Sequence, residues 1–415
     1  MNREDPIFVY ADWKGLDRAR LMGRLYRAQV RGEEVLSFEY EPEWLTQAQP
    51  FLLDPKLQWV GGRQYADGGN PFRLFLDSAP DRWGRLLIRR RAALEAKEKP
   101  VVLFDSDYLL AVSDTCRMGG LRFRAASDGP FLAEDTELSV PPFHSLRKLE
   151  QASRRFEASD TDDPEHVKWL QMLIAPGTSL GGARPKCSVI DPDGQLWIAK
   201  FPSRADEYDV GAWEGLVHQL AVEAGLDISR ARTEAFSKSG TTFLTRRFDR
   251  EQAQRIHFAS AMNLLGYQDG DGAQTGASYL DLVDLIERIG GAVKEDLEEL
   301  WRRIVFNICV HNTDDHLRNH GFLLGAQGWR LSPVYDLNPQ PWPGGLALNI
   351  DEHSNACELD LARSVGKYFR LSDTRQDEII RTVLGAVKGW EKAAAQKGLK
   401  RSEMDLMRAA FRAAE

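Results

Sequence analysis

The chain has 415 residues, of which 43% are hydrophobic and 28% charged, and a formal net charge of −8. These values fit a soluble globular protein of two or three domains and exclude one that coats nucleic acid by itself, while leaving room for a local basic patch. Its cysteines, Cys116, Cys187, Cys309 and Cys357, form no CxxC pair, and no apolar run reaches the roughly 18 residues of a membrane span, so a disulfide framework, a zinc ribbon and membrane contact are all unexpected.

The opening stretch MNREDPIFVYADWKG runs directly into a strand pattern with no leader, and a reducing cytoplasm is the expected setting. Ile7 to Trp13, Gly23 to Ala28 and Val35 to Tyr40 are rich in β-branched and aromatic residues, with Gly15 and Gly32 between them. They predict a small antiparallel sheet. A helix is expected from Ser78, as N-cap with Pro80 in the first turn, to about Lys97. Its Arg82, Arg85, Arg89, Arg90 and Arg91 read either as a solvated face or as a surface for a partner or nucleic acid. The acidic, proline-containing stretch near 127 to 143 reads as a linker or strap, and helical pattern resumes over His144 to Arg155 and His166 to Leu173.

The segment IAPGTSLGGARPKCSVIDPDGQLWIAKFPS follows. Gly177, Gly181 and Gly182 permit a tight loop whose N–H groups approach phosphate oxygens closely. CSVID and LWIAKF read as a hairpin turned at Asp193-Gly194, with Lys200 projecting beside the glycine-rich loop, either as a phosphate-pairing lysine or as a solvated edge residue. GTSLGG itself matches neither GxGxxG nor the Walker pattern. A helix is expected from Asp206 to Ala224, where Glu214, ahead of Glu207 and Glu223, is a candidate to orient Lys200. Thr241 to Arg250 reads as a hinge strand, and from Tyr279 onward helices dominate: Leu280 to Ile289, Glu295 to Val310, Asp377 to Ala395 and Ser402 to Ala414.

The most informative stretch lies between Trp301 and Asn338. Asp314, Asn319 five positions later and Asp336 are the residue types that phosphoryl transfer demands, a carboxylate to receive a hydroxyl proton and oxygen ligands to hold Mg²⁺ on phosphates. An Asp, four residues and an Asn is also the spacing of a kinase catalytic loop. Two other readings exist, a capped or salt-bridged loop, and a metal cluster of His311, His316 and His320.

Taken in order, SLGGARPK, AKFP, TRRFDR, NTDDHLRN and LSPVYDLNP resemble the HipA family of bacterial toxin–antitoxin serine/threonine kinases. LDSAPDRWG and YLLAVSDTCRMGGLRF resemble the same family's N-terminal subdomain, so the likeness covers nearly the whole chain. It implies an α+β, bilobal protein-kinase-like fold, with a small N-terminal β-sheet subdomain over 1–143, a β-rich N-lobe over 144–250 and a helical C-lobe over 251–415. It further implies ATP and Mg²⁺, with Asp314 as catalytic base and Asn319 and Asp336 at the metal positions. Gly181, Gly182, Ala183, Arg184, Lys186 and Lys200 match the positions that contact nucleotide phosphates. Arg246 to Phe248 match the hinge through backbone atoms, His316 and Tyr335 fall at the nucleotide site, and Ser179 aligns with a serine that members autophosphorylate.

The implied partners are a helix-turn-helix antitoxin, operator DNA reached through that antitoxin, and a protein target such as glutamyl-tRNA synthetase. The chain departs from the family where an HQED-like segment is replaced by His257, Phe258, Ala259 and Ser260, and its metal motif is DLN rather than the DFG of many eukaryotic kinases. A kinase-shaped co-repressor of weak activity and a small-molecule kinase are the alternative readings.

Overall fold

The computed structural model describes residues 5–47, 51–66, 71–96, 102–133, 140–158, 169, 172–173, 182 and 184–414. The chain forms two compact units, Met1–Arg204 with Asp249–Ala259, and Ala205–Phe248 with Ser260–Glu415.

In the first unit β1 (Ile7–Ala11), β2 (Arg20–Val30), β3 (Glu33–Tyr40), β4 (Gln64–Tyr65) and β5 (Leu121–Arg124) make an antiparallel sheet in the order β4-β3-β2-β1-β5. Leu36, Phe38 and Tyr40 recur at every second position and are buried, the period of a strand with one covered face. Phe38 meets Phe72 and Phe75 at 6.3 and 5.8 Å between ring centroids, and Phe75 meets Phe123 at 6.0 Å. The β2–β3 turn needs left-handed backbone at both central residues, and Arg31 (φ 53°) and Gly32 (φ 91°) supply it.

The helices of this unit are α1 (Pro42–Gln47), α2 (Arg73–Leu76), α3 (Arg82–Glu95), α4 (Asp105–Ala111) and α5 (Leu146–Ala158). α3 starts three residues later than the sequence predicts. Asp81 is its N-cap, accepting the Gly84 N–H at 2.7 Å, whereas the Ser78 hydroxyl turns to the Met118 carbonyl at 3.4 Å. Both residues satisfy the N-cap preference, and the carboxylate, which also complements the helix dipole, takes the position. Trp83 and Leu87 of α3 share a core with Ala152 and Phe156 of α5 and with Leu173.

The stretch read as a linker contributes buried Phe131 and Val140 where it is described, and the helix expected over His166 to Leu173 lies largely outside the described residues. β6 (Lys186–Ile190) and β7 (Leu196–Lys200) form the expected hairpin. Its turn is held by Asp191, whose carboxylate accepts N–H groups of Asp193, Gln195 and the Trp197 indole at 3.0, 2.8 and 2.8 Å.

Asp249–Ala259 belongs to this unit because buried charges tie it there. The Asp249 carboxylate accepts the Gly119 N–H at 2.9 Å, Arg250 donates to the carbonyls of Thr115 and Arg117, and Arg255 pairs with Asp114 at 3.0 Å. His257 stacks on Trp13 at 4.6 Å, and burial lowers its pKa to about 3.

In the second unit α6 (Val210–Glu223) packs on the hairpin of β8 (Ala231–Ser237) and β9 (Gly240–Arg246). A Cβ at Gly211 would lie 1.9 Å from the Thr241 carbonyl oxygen, so only glycine allows the approach. Asp209 caps α6 and accepts both the N–H and the hydroxyl of Thr241 at 2.9 and 2.8 Å. The remaining elements are α7 (Ala261–Leu265), α8 (Tyr279–Ile289), α9 (Val293–Val310), β10 (Gly321–Gly325), β11 (Gly328–Leu331), α10 (Leu359–Val365), α11 (Asp373–Val387), α12 (Trp390–Gln396) and α13 (Arg401–Met407).

The single helix expected over Asp377 to Ala395 is divided at Gly389 into α11 and α12, and the C-terminal helix ends in tighter turns over Arg408–Ala414. α9 runs through the core: Leu297, Leu300, Trp301, Ile304, Val305 and Ile308 are buried at helical spacing. Among the described residues no helix is long and apolar enough to cross a membrane.

Candidate active site

α9 ends at His311, which takes a left-handed conformation (φ 51°) and turns the chain into the loop carrying Asp314 and Asn319. Inside the loop the His316 N–H bonds the Asp314 carbonyl at 2.9 Å and the Asn319 N–H bonds the His316 carbonyl at 2.8 Å. The Asn319 side-chain NH₂ also donates to the Asp314 carbonyl, at 2.9 Å. An amide whose nitrogen is committed to a carbonyl presents its oxygen elsewhere, the orientation a cation ligand needs. Asp314 is exposed on this loop, and Asn319 is 5% exposed.

The neighbouring carboxylate is in a different environment. Asp315 is 1% exposed, and its Oδ2 accepts the Tyr279 hydroxyl at 2.6 Å, the Asn307 amide at 2.6 Å and a His320 ring nitrogen at 2.9 Å. Burial raises its pKa, but the charge and hydrogen bond of His320 together with the Tyr279 bond act more strongly, so the carboxyl is held below its ordinary value. Of two adjacent acids, one is therefore a buried anchor and the other faces solvent.

Asp336 reaches the same network from the segment after β11. The Val334 N–H bonds the Asp227 carbonyl at 2.7 Å, and Asp336 follows in left-handed backbone with φ 60°. The Asn338 amide donates to Asp336 Oδ1 at 3.3 Å, while the Asn338 N–H meets Asn312 Oδ1 at 3.3 Å. Asn312 in turn donates to Asn307 Oδ1 at 3.1 Å, and Asn307 closes the chain on Asp315. Tyr335 donates to the Arg318 carbonyl at 2.5 Å, and its ring lies 5.5 Å from that of Phe248. The second unit thus brings together Asp314, His316, Asn319, Tyr335, Asp336 and Phe248. At the expected hinge the Arg246 N–H is bonded to the Arg230 carbonyl at 2.8 Å.

The first unit carries the expected phosphate-binding residues. Lys186 and Lys200 are direct cross-strand partners at the end of the β6–β7 hairpin. Lys200 is half-buried, whereas Lys186 is buried and paired with Asp81 at 3.3 Å. Gly182 has φ +83°, a conformation glycine adopts without strain. Gly181, Ala183 and Ser179 lie outside the described residues. Glu214 is buried on α6.

The histidine-cluster reading fails on geometry. Both ring nitrogens of His311 meet backbone carbonyls, those of Gln340 and Gly344 at 2.7 and 3.1 Å, and His320 is engaged by Asp315. Among the described residues no group of three or more His, Cys, Asp and Glu could hold a metal ion. Asn319 and Asp336 do fit Mg²⁺, which takes one or two protein oxygens and completes its shell with water and phosphate.

Where the HQED-like segment is missing, Ser260 caps α7, its hydroxyl accepting the Asn263 N–H at 3.4 Å. The residues that sequence reasoning missed are Asp315, Asn307, Tyr279 and Asp81. The available signal was the polar Asn307 set within the buried stripe of α9.

Comparison with known proteins bears on the family and the fold. The family described as HipA-like C-terminal domain matches residues 178–390. A Sinorhizobium fredii protein bearing the name "Putative kinase Y4mE" is 29% identical over 209 residues, 44% of this chain and 48% of the relative, so the match spans about half of that protein's length. The HipA structure determined for Shewanella oneidensis in a complex with HipB and operator DNA shares the fold at a TM-score of 0.64, with 17% identity, covering 99% of this chain and 96% of that one. The Helicobacter pylori kinase CtkA, at a TM-score of 0.34 and 12% identity over 55% of this chain and 94% of its own, is too distant to bear on the fold. With the family match extending over half of its length, this α+β chain belongs to the HipA-like family.

Proposed function

We propose that this chain is an ATP- and Mg²⁺-dependent protein serine/threonine kinase that acts as the growth-arresting toxin of a toxin–antitoxin pair. The observation that carries the reading is the contrast on one loop: exposed Asp314 stands beside an Asn319 whose side-chain nitrogen is committed to the Asp314 carbonyl, and a hydrogen-bonded chain of asparagines links that loop to Asp336. Asp314 receives the proton of the attacking hydroxyl as the oxygen–phosphorus bond forms and the bond to the ADP leaving group breaks. Asn319 and Asp336 would hold Mg²⁺, which when bound neutralises charge on the phosphates. Lys200, with Lys186 and the glycine-rich segment, binds those phosphates, and His316, Tyr335 and the Arg246 to Phe248 backbone complete the nucleotide site. The division into a subdomain over 1–143 and lobes over 144–250 and 251–415 belongs to this reading.

The Shewanella HipA is seen with HipB and operator DNA, and by analogy this chain takes a helix-turn-helix antitoxin and meets DNA through it. Its target is a translation component such as an aminoacyl-tRNA synthetase. Radiolabelled ATP and induced expression test the reading together: wild type transfers phosphate and stops growth, and Asp314→Asn does neither. Equal transfer by the two forms would overturn it, and repression without transfer in either form would instead mark a co-repressor. Autophosphorylation at Ser179 is checked by intact mass, since Ser179→Ala should abolish the added phosphate and with it the repulsion that switches the enzyme off.

A further inference from the structure

Asp81 stands in the N-terminal LDSAPDRWG stretch, far in sequence from the phosphate-binding segment, yet one carboxylate serves both. Its Oδ1 caps α3 through the Gly84 N–H at 2.7 Å, and its Oδ2 lies 3.3 Å from Lys186 Nζ. The two side chains are 1% and 4% exposed, so the pair is removed from water. Lys186 opens β6 directly opposite Lys200. Cross-strand partners share a face, and two ammonium groups placed in this way repel one another. A buried ammonium also demands a counter-charge, which Asp81 supplies. Gly182 closes over the same point, because a Cβ built there would lie 3.1 Å from Lys186 Nζ.

We propose that Asp81 is a positioning residue for nucleotide binding, acting through Lys186. It holds that ammonium beneath Gly182 and offsets its repulsion of Lys200, so that the hairpin end is preset for phosphates. The inference rests on the kinase reading above and adds to it a residue outside the kinase-like region. Because Asp81 acts through Lys186, its loss acts on nucleotide affinity and leaves the chemical step alone.

The test uses the full chain and a non-hydrolysable ATP analogue. Asparagine caps helices as well as aspartate does, so Asp81→Asn keeps α3 and removes only the charge. Its Kd for the analogue and its KM for ATP should rise about tenfold, the loss of one charge-assisted bond, with kcat within about twofold. Asp81→Glu, which restores the charge, should recover most of the affinity and serves as the readout if the asparagine variant fails to fold. In a Lys186→Gln background, Asp81→Asn should add nothing further.

Unchanged affinity in Asp81→Asn, or an undiminished effect in the Lys186→Gln background, would overturn the role of Asp81 while leaving the kinase reading intact. A wild-type chain that binds no analogue would overturn both.

Discussion

Replacing Asp315 by alanine should damage the fold, whereas replacing its neighbour Asp314 should damage only the chemistry. The Asp315 Oδ2 accepts hydrogen bonds from Tyr279, Asn307 and His320 at 2.6, 2.6 and 2.9 Å, at a position 1% exposed. Removing it strands those donors away from water. Each stranded donor costs roughly 1–3 kcal/mol, but relaxation and entering water make the sum less than additive, and breaking a buried charged cluster typically costs about 3–5 kcal/mol. A loss of about 4 kcal/mol is expected for Asp315→Ala, a large part of the roughly 5–15 kcal/mol that holds a domain together. Asp315→Asn keeps one acceptor oxygen and should lose about half as much.

Urea denaturation followed by hydrogen exchange over Val293–Val310 reads the transition of this unit on its own. Asp314→Asn, at an exposed position, should stay within about 0.5 kcal/mol of wild type in the same assay. If Asp315→Ala also falls within about 1 kcal/mol of wild type, the cluster is not what holds the loop. The acid dependence carries a sign as well. The folded carboxyl is depressed below its ordinary value, so the stabilisation from Asp315 is fully present above the unfolded pKa and disappears only as pH falls through the folded one.

His257 carries the same sign in a higher pH window: its folded pKa is lowered to about 3 by burial, so the unfolded chain takes up the proton first and stability falls as pH drops below the ordinary histidine range. Between pH 7 and 5 the loss is about 2 kcal/mol, and His257→Phe should flatten the dependence of the urea midpoint on pH over that interval. Gly211→Ala would drive a methyl to 1.9 Å from the Thr241 carbonyl, and a loss of about 2–3 kcal/mol should appear as a lower melting temperature with the Asp314 loop unchanged in exchange. Asp336→Gly should relieve left-handed backbone and raise stability by about 1 kcal/mol while abolishing phosphate transfer, and a fall in melting temperature would contradict the strain argument.

Periodic features were readable without coordinates. The alternation in β1 to β3, the Asp193-Gly194 hairpin and the buried stripe of α9 are each dictated by neighbours within a few residues, and the chain forms them where expected. The errors lie where two local rules compete. Ser78 and Asp81 both suit an N-cap, and only the contact of Ser78 with Met118 decides between them. Gly389 weakens a helix only slightly by propensity, so it does not by itself announce the break between α11 and α12, beyond which Trp390 stacks on Phe411 at 4.4 Å.

Charge pairing at long range is the part that sequence does not carry. Asp314 and Asp315 are identical and adjacent, and nothing in NTDDH says which faces water. That is decided by Tyr279 and Asn307 arriving from α8 and α9 with donors that only one of the two can accept. Asp81 and Lys186 pose the same problem over a greater separation, since nothing near the lysine of the glycine-rich segment points to its carboxylate partner on another element. On the Asp314 loop the exposed carboxylate stands beside one that is buried and bonded and that holds the loop in place. A search for the site by residue type therefore finds the candidate reacting groups and misses the residues that hold their loop, which are better sought as polar residues inside apolar helical stripes, as Asn307 is in α9.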